Sequence, residues 1–274
     1  MTVDAHHHFW DPSRRSYPWM GAELDPIRRS FGPDDLAPLA RVNAIERTLL
    51  VQTVSSVDET REFLATAARH ELVGGVVGWV DLTDAQVATT IAGLRSGEGG
   101  EKLVGVRHQV HDETDPDWLR RDDVQRGLAE VQNAGLAYDL LVRTRELPAA
   151  HDAASRHPNL GFVIDHAAKP RIADGPRDTE WERAMAQMAA LPNVTCKLSG
   201  LVTEAGWETW TQEQLEPYIT RVLDWFGPQR CMFGSDWPVC LLAASYAEVL
   251  DTVRKVAGED EDVFARTAIR VYGL

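Results

Sequence analysis

The opening residues of the chain carry its densest chemistry. Val3-Asp4-Ala5 leads, as a short strand-like run, into His6-His7-His8 and then Phe9-Trp10. Side chains alternate across a strand, so His6 and His8 share one face and His7 takes the other. Two imidazoles on one face are a pair of nitrogen ligands for a metal, or a polarising pair for a carbonyl. A tag remnant is also histidine-rich, but a tag is not embedded among apolar residues that themselves read as strand. His-x-His is a short motif, and its meaning depends on what other polar groups the chain brings to the same place.

Holding such groups in register requires a rigid frame, and the apolar pattern supplies one. After Val3 to His8, near-continuous apolar runs recur at 48–52, 73–81, 103–110, 137–142, 161–166, 194–198 and 231–236. Continuous rather than alternating hydrophobicity marks strands covered on both faces. Helical patterns separate them. Asp58 to His70 starts acidic and ends basic, in keeping with the helix dipole. Thr83-x-x-Gln86 and Ser245-x-x-Glu248 read as capping boxes, and Gly135 as the residue that stops the helix over 124–134. Further helices are expected over 181–191, 215–226 and 263–272.

Eight strands alternating with helices imply parallel βα units, and the 274 residues suit one (β/α)8 TIM-type barrel over 1–274, a fold that typically takes about 250. An open doubly wound sheet usually shows a glycine-rich phosphate turn after its first strand, and this chain has none. Insertions are expected at 11–33, 167–179 and 201–211. The formal charge of −14 argues against a nucleic-acid partner. Three cysteines without metal-type spacing read as reduced thiols. With no apolar run of membrane length and no leader pattern, a soluble cytoplasmic protein is expected. The oligomeric state is open, a homo-oligomer being compatible with the sequence.

Chemistry on such a barrel belongs to the C-terminal strand ends. These carry His6 and His8, Gln52, Trp79 and Asp81, Arg107 with His108 and His111, Asp139, Asp165 with His166 and Lys169, Lys197 and Ser199, and Ser235 with Asp236. His6, His8, His166 and Asp236 are all of ligand or acid–base type. Six tryptophans, Trp10, Trp19, Trp79, Trp207, Trp210 and Trp237, fall at strand ends or in loops on the same face. Indole faces pack on sugar C–H surfaces and the N–H donates to hydroxyls, so a polyhydroxylated ring is the expected ligand.

The eight-unit pattern, D-A-H-x-H-F-W at 4–10, D-H-x-x-K-P at 165–170 and G-S-D-W-P at 234–238 together resemble the amidohydrolase superfamily. Within it, the chain looks most like the sugar-acid lactonase branch. The resemblance implies catalytic roles for His6, His8, His166 and Asp236, with Asp236 handling the proton of the attacking water. Metal-dependent members usually add a lysine or glutamate on the fourth strand and a histidine on the fifth. Arg107 and Asp139 stand there instead, so a binuclear centre is not expected. One divalent ion, zinc or manganese, on His6, His8, His166 and Asp236 fits the motif, and metal-free catalysis stays open.

The expected substrate is a small sugar lactone, an aldono-1,4- or 1,5-lactone. Arg107, His108, Lys169, Trp10, Trp79 and Trp237 are its candidate binding residues. No arginine cluster lines the loops, which counts against di- or tricarboxylate lactones. A metal-dependent decarboxylase of the same superfamily would need a carboxylate clamp and a firmly held metal. A non-catalytic carbohydrate-binding barrel would leave the convergent histidines and Asp236 without purpose.

Overall fold

The computed structural model describes residues 1–175 and 177–274. Eight strands, β1 (Val3–His7), β2 (Arg47–Val51), β3 (Val73–Gly78), β4 (Leu103–His108), β5 (Ala137–Leu140), β6 (Phe162–Ile164), β7 (Val194–Leu198) and β8 (Cys231–Phe233), pair in parallel in chain order. The ring closes between its ends, where the His8 N–H donates to the Trp237 carbonyl at 2.7 Å and the Asp236 N–H to the His6 carbonyl at 2.8 Å. The sheet is a TIM-type barrel, as the strand spacing predicts.

Helices α1 (Pro33–Val42), α2 (Val57–Arg69), α3 (Val87–Arg95), α4 (Asp122–Asn133), α5 (Leu147–Arg156), α6 (Thr179–Ala189), α7 (Leu201–Glu204), α8 (Gln212–Phe226), α9 (Tyr246–Ala257) and α10 (Thr267–Tyr272) lie between and after the strands. The Ser245 hydroxyl caps α9 and Glu248 reaches back to the Ser245 N–H at 2.7 Å. Thr83 does not cap. Its hydroxyl donates to Asp81 at 2.6 Å, and α3 starts only at Val87, because the short Asp81 side chain offers the nearer acceptor. Among the described residues no helix is long and apolar enough to cross a membrane.

Two apolar clusters follow from the double covering of the strands. The larger lies between the sheet and the helices; the smaller fills the barrel interior with Val3, Ala5, Leu49, Val51, Val77, Val163 and Met232, stoppered by Ala268 and Tyr272 of α10. Strict alternation from Val3 and Ala5 would turn His7 inward. The β1–β2 register shifts between Asp4 and His7, which returns His6 and His8 to the inner side. His7 faces the helices, 2.9 Å from the Thr48 hydroxyl.

The buried Asp4 carboxylate fastens the closure. It accepts from the Ser235 N–H at 2.8 Å, the Ser235 hydroxyl at 2.6 Å, the Tyr246 hydroxyl at 2.8 Å and the His6 N–H at 3.1 Å. First strand, eighth-strand turn and α9 are thereby held on one anion. Tyr246→Phe is expected to destabilise the fold by about 1.5–3 kcal/mol, the usual worth of a hydrogen bond to a charged group. It would be read as a lower urea midpoint at unchanged slope.

Candidate active site

The barrel interior turns polar above its apolar layer. Lys197 on β7 has no solvent exposure, and its ammonium lies 2.5 Å from Asp139 Oδ2 and 3.0 Å from Asp165 Oδ1. The Tyr272 hydroxyl donates to Asp139 from below at 2.8 Å. Arg107 on β4 donates from Nη1 to Asp165 at 2.9 Å and from Nε to the Gln52 side chain at 3.0 Å. Two cations and two carboxylates thus share one dry layer. Burial pushes Asp139 up to about 6 against the pull of Lys197. Burial acts the same way on Asp165, but Lys197, His6 and Arg107 outweigh it and hold that carboxyl well below the usual range.

The imidazoles stand on this layer. His6 is fully buried, with Nδ1 3.3 Å from both Asp165 Oδ1 and Lys197 Nζ. Its Nε2 lies 3.2 Å from His8 Nε2 and 3.3 Å from Arg107 Nη1. His8 Nδ1 lies 2.8 Å from the Val51 carbonyl, which only an N–H can satisfy, so Nε2 is the atom left for the centre. His166 Nδ1 pairs with the Ser199 hydroxyl at 2.9 Å. The three Nε2 atoms approach one oxygen, Asp236 Oδ1, at 3.8 Å from His6, 3.4 Å from His8 and 3.9 Å from His166.

Burial holds His6 and His166 well below the ordinary histidine value, so both are neutral near pH 7. Burial pushes the Asp236 carboxyl up, but His166, His8 and Lys169 outweigh it and leave the group below its usual value. It is an anion at neutral pH.

The backbone behind these groups is strained. His166, Ala167, Ala168 and Lys169 all have positive φ, between 48° and 58°, and Asp236 has φ 56°. Consecutive left-handed non-glycine residues persist only where their surroundings over-determine them. Here the Trp181 indole donates to the Ala167 carbonyl at 2.6 Å, and the Lys169 N–H to the His166 carbonyl at 2.8 Å. Gly200, at φ +63°, makes room: a Cβ there would lie 2.5 Å from His166 Nδ1.

A cavity of about 600 Å³ opens over the cluster, lined at its base by His8, Arg107, His166 and Asp236. All three expected insertions contribute to its walls, beside residues such as His111, Arg143 and Leu242 from other strand-end loops. Trp19 and Leu24 belong to the first, Lys169 to the second, and Thr203, Glu204 and Trp207 to the third. Lys169 pairs with Glu204 at 2.6 Å on the wall itself. His6 sits directly beneath, screened by its neighbours.

The other sequence candidates lie elsewhere. Trp10 is buried, donating to the Ile27 carbonyl at 3.1 Å and meeting Trp19 and Phe31 edge-on. Trp237 is buried against Phe9 and Phe31. Trp79 donates to His108 Nδ1 at 3.0 Å, while His108 stacks on Trp118 and pairs with Glu113 at 2.7 Å. None of these four walls the cavity. Their rings satisfy the apolar and hydrogen-bonding needs of the rim, which strand position alone does not distinguish from substrate contact. Of the six tryptophans, Trp19 and Trp207 reach the cavity. The floor residue that the sequence underweighted is Lys197, whose signal was a lone cation within the apolar run VTCKL.

The sequence matches the amidohydrolase family over residues 3–274. The chain belongs to the amidohydrolase family. It is 42% identical to the L-fucono-1,5-lactonase of Burkholderia multivorans, covering all of this chain and 96% of that protein. It is 43% identical to the L-fucono-1,5-lactonase of Burkholderia ambifaria, covering 90% and 83%. A crystal structure of an amidohydrolase from Burkholderia multivorans with bound zinc superposes with a TM-score of 0.94 at 40% identity, covering 100% of this chain and 99% of that one.

In this chain His6, His166 and Asp236 each offer a ligand atom within 4.8 Å of the others, a donor set suited to a divalent cation. Lys197 is what holds the layer beneath them together. Lys197→Met would leave two buried carboxylates short of their shared cation. It is expected to cost about 3–5 kcal/mol, seen as a large fall in the denaturation midpoint.

Proposed function

We propose that this protein hydrolyses a sugar-acid lactone, with Asp236 as the group that moves the proton of the attacking water. The observation that carries the reading is the convergence of His6, His8 and His166 on Asp236 Oδ1 at the floor of an open cavity. The likeness to two L-fucono-1,5-lactonases supports the substrate class and makes L-fucono-1,5-lactone the first compound to test. The buried free thiols of Cys196, Cys231 and Cys240 support a cytoplasmic setting.

A lactone is an uncharged cyclic ester, and opening it requires a water, a base and support for the developing oxyanion. Water attacks C1 from the cavity side while Asp236 accepts its proton. The tetrahedral oxyanion collapses, the bond from C1 to the ring oxygen breaks, and Asp236 returns the proton to that oxygen. The new carboxylic acid then ionises. A carboxylate held below its usual value is a weak base, so the water must gain acidity from its surroundings as it attacks.

His6, His8, His166 and Asp236 would hold a divalent zinc or manganese ion. When bound, such an ion lowers the pKa of water from 15.7 towards about 7. Arg107 gives the chain a second means. Its guanidinium is always charged, lines the cavity and sits 3.3 Å from His6 Nε2, where it can donate to an oxyanion. Lys169, Glu204 and Trp207 on the wall provide a donor, an acceptor and a ring face for the sugar hydroxyls and C–H edges.

Asp236→Asn is expected to lower kcat/KM for L-fucono-1,5-lactone by about 10²–10⁴-fold in a proton-release assay, the usual worth of a positioned base. Unchanged turnover would remove Asp236 from the mechanism. With a permanent cation already on the cavity floor, removing metal with a chelator is expected to cost less activity than Asp236→Asn does. Elemental analysis run beside the rate assay checks this, and a greater loss, restored by zinc or manganese, would make the ion the main activator.

A further inference from the structure

The loop sequences carry no arginine run, yet the fold assembles an arginine cluster. A second cavity of about 610 Å³ adjoins the first and is walled by Arg143, Arg145, Lys169, Arg171 and Arg183, with Glu180 as the one carboxylate among its lining residues. Arg143 and Lys169 wall both cavities. The expectation that no arginine cluster lines the loops is thereby corrected. These cations come from the turn after β5, the loop after β6 and the outer face of α6, so no single stretch of sequence reveals them.

Three of the five are neutralised from the side. Arg145 pairs with Glu146, Lys169 with Glu204 and Arg171 with Asp178. Arg143 and Arg183 are exposed and, among the described residues, their guanidinium groups have no carboxylate oxygen within 4 Å, although the Arg143 backbone N–H donates to Glu146 at 2.8 Å. On a chain of net charge −14, this is a local reversal of sign placed beside the mouth.

The geometry points to an anion subsite that receives the carboxylate of the ring-opened product as it leaves the catalytic cavity. The inference rests on the lactone reading. A neutral sugar lactone enters without charge, whereas its hydrolysis leaves an aldonate anion facing the Asp236 carboxylate. Like charges repel there, and the guanidinium forks of Arg143 and Arg183 offer the carboxylate planar, charge-assisted hydrogen bonds next door. Only the product responds to this field. The two arginines therefore act on release and product inhibition and leave capture of the substrate alone.

The test uses Arg143→Gln, Arg183→Gln, the double variant and Arg143→Lys, with melting temperatures as the folding control. Calorimetric titration with L-fuconate is expected to show about tenfold weaker binding in the double variant, the scale of lost charge complementarity. Arg143→Lys should keep most of the affinity. For Arg183→Gln, which lies outside the catalytic cavity, initial rates on the neutral lactone should stay within about twofold of the wild type, while inhibition by added L-fuconate weakens in step with the titration. Unchanged L-fuconate affinity would overturn the subsite. An equal loss of KM for the neutral lactone would overturn it too, by assigning the arginines to ring binding. Faster turnover of a lactone bearing a second carboxylate, lost in the double variant while L-fuconate binding is kept, would show a substrate-borne anion and overturn the exit role. If the wild type opened no lactone but bound L-fuconate through these arginines, the hydrolase reading would fall and the anion subsite would stand.

Discussion

An ammonium with no access to water sits in the middle of the barrel, and the site is arranged around the need to compensate it. Lys197 could not be buried alone, because desolvating a charge costs several kcal/mol. Asp139 and Asp165 answer it from the two preceding strands, and each carboxylate then requires further donors. Asp139 takes the Tyr272 hydroxyl, which ties the C-terminal helix into the bottom of the barrel. Asp165 takes Arg107 and lies against His6, which carries the network across to the second and first strands. The histidine pair is held in place by electrostatics that begin on the opposite wall.

This layer also fixes the character of the chemistry above it. His6 has a basic side chain within 3.3 Å of each ring nitrogen, Lys197 at one and Arg107 at the other. Burial is the main force that keeps His6 neutral; Lys197 adds to it against the pull of Asp165, so the ring can accept or ligate. Asp236 is left as the anionic member of the upper cluster, on a left-handed backbone that aims it at the three imidazoles. The separation of roles is physical: charge balance is settled below, and the groups free to move a proton stand above.

Much of this was legible beforehand, and the parts that were not share a cause. Continuous apolar runs located all eight strands to within a few residues, since a strand buried on both faces has little room for polar side chains. His6, His8, His166 and Asp236 stood out because polar groups at such strand ends are costly without a purpose. The tryptophans were harder. Trp10, Trp79 and Trp237 occupy the same kind of position as Trp19 and Trp207, yet they pack into the rim while the latter two face the cavity. An indole ring serves either environment, so its identity does not separate them. The arginines of the second cavity were hidden for a different reason. They are scattered over some forty residues, from Arg143 to Arg183, and become neighbours only when adjacent βα units stack.

By itself, the sequence determined the barrel class, the order of its strands, the face that carries chemistry and the residue types available there, because these follow from hydrophobic period and local motif. The tertiary structure decided which of those residues meet. A one-residue register shift in the first strand put His6 and His8 inside and His7 outside, which alternation from Val3 alone would have reversed. The left-handed turn after the sixth strand brought His166 over Asp236, and Gly200 left room for its ring. Register, turn hand and cross-barrel pairing depend on contacts between residues far apart in the chain, so they are properties of the assembled sheet.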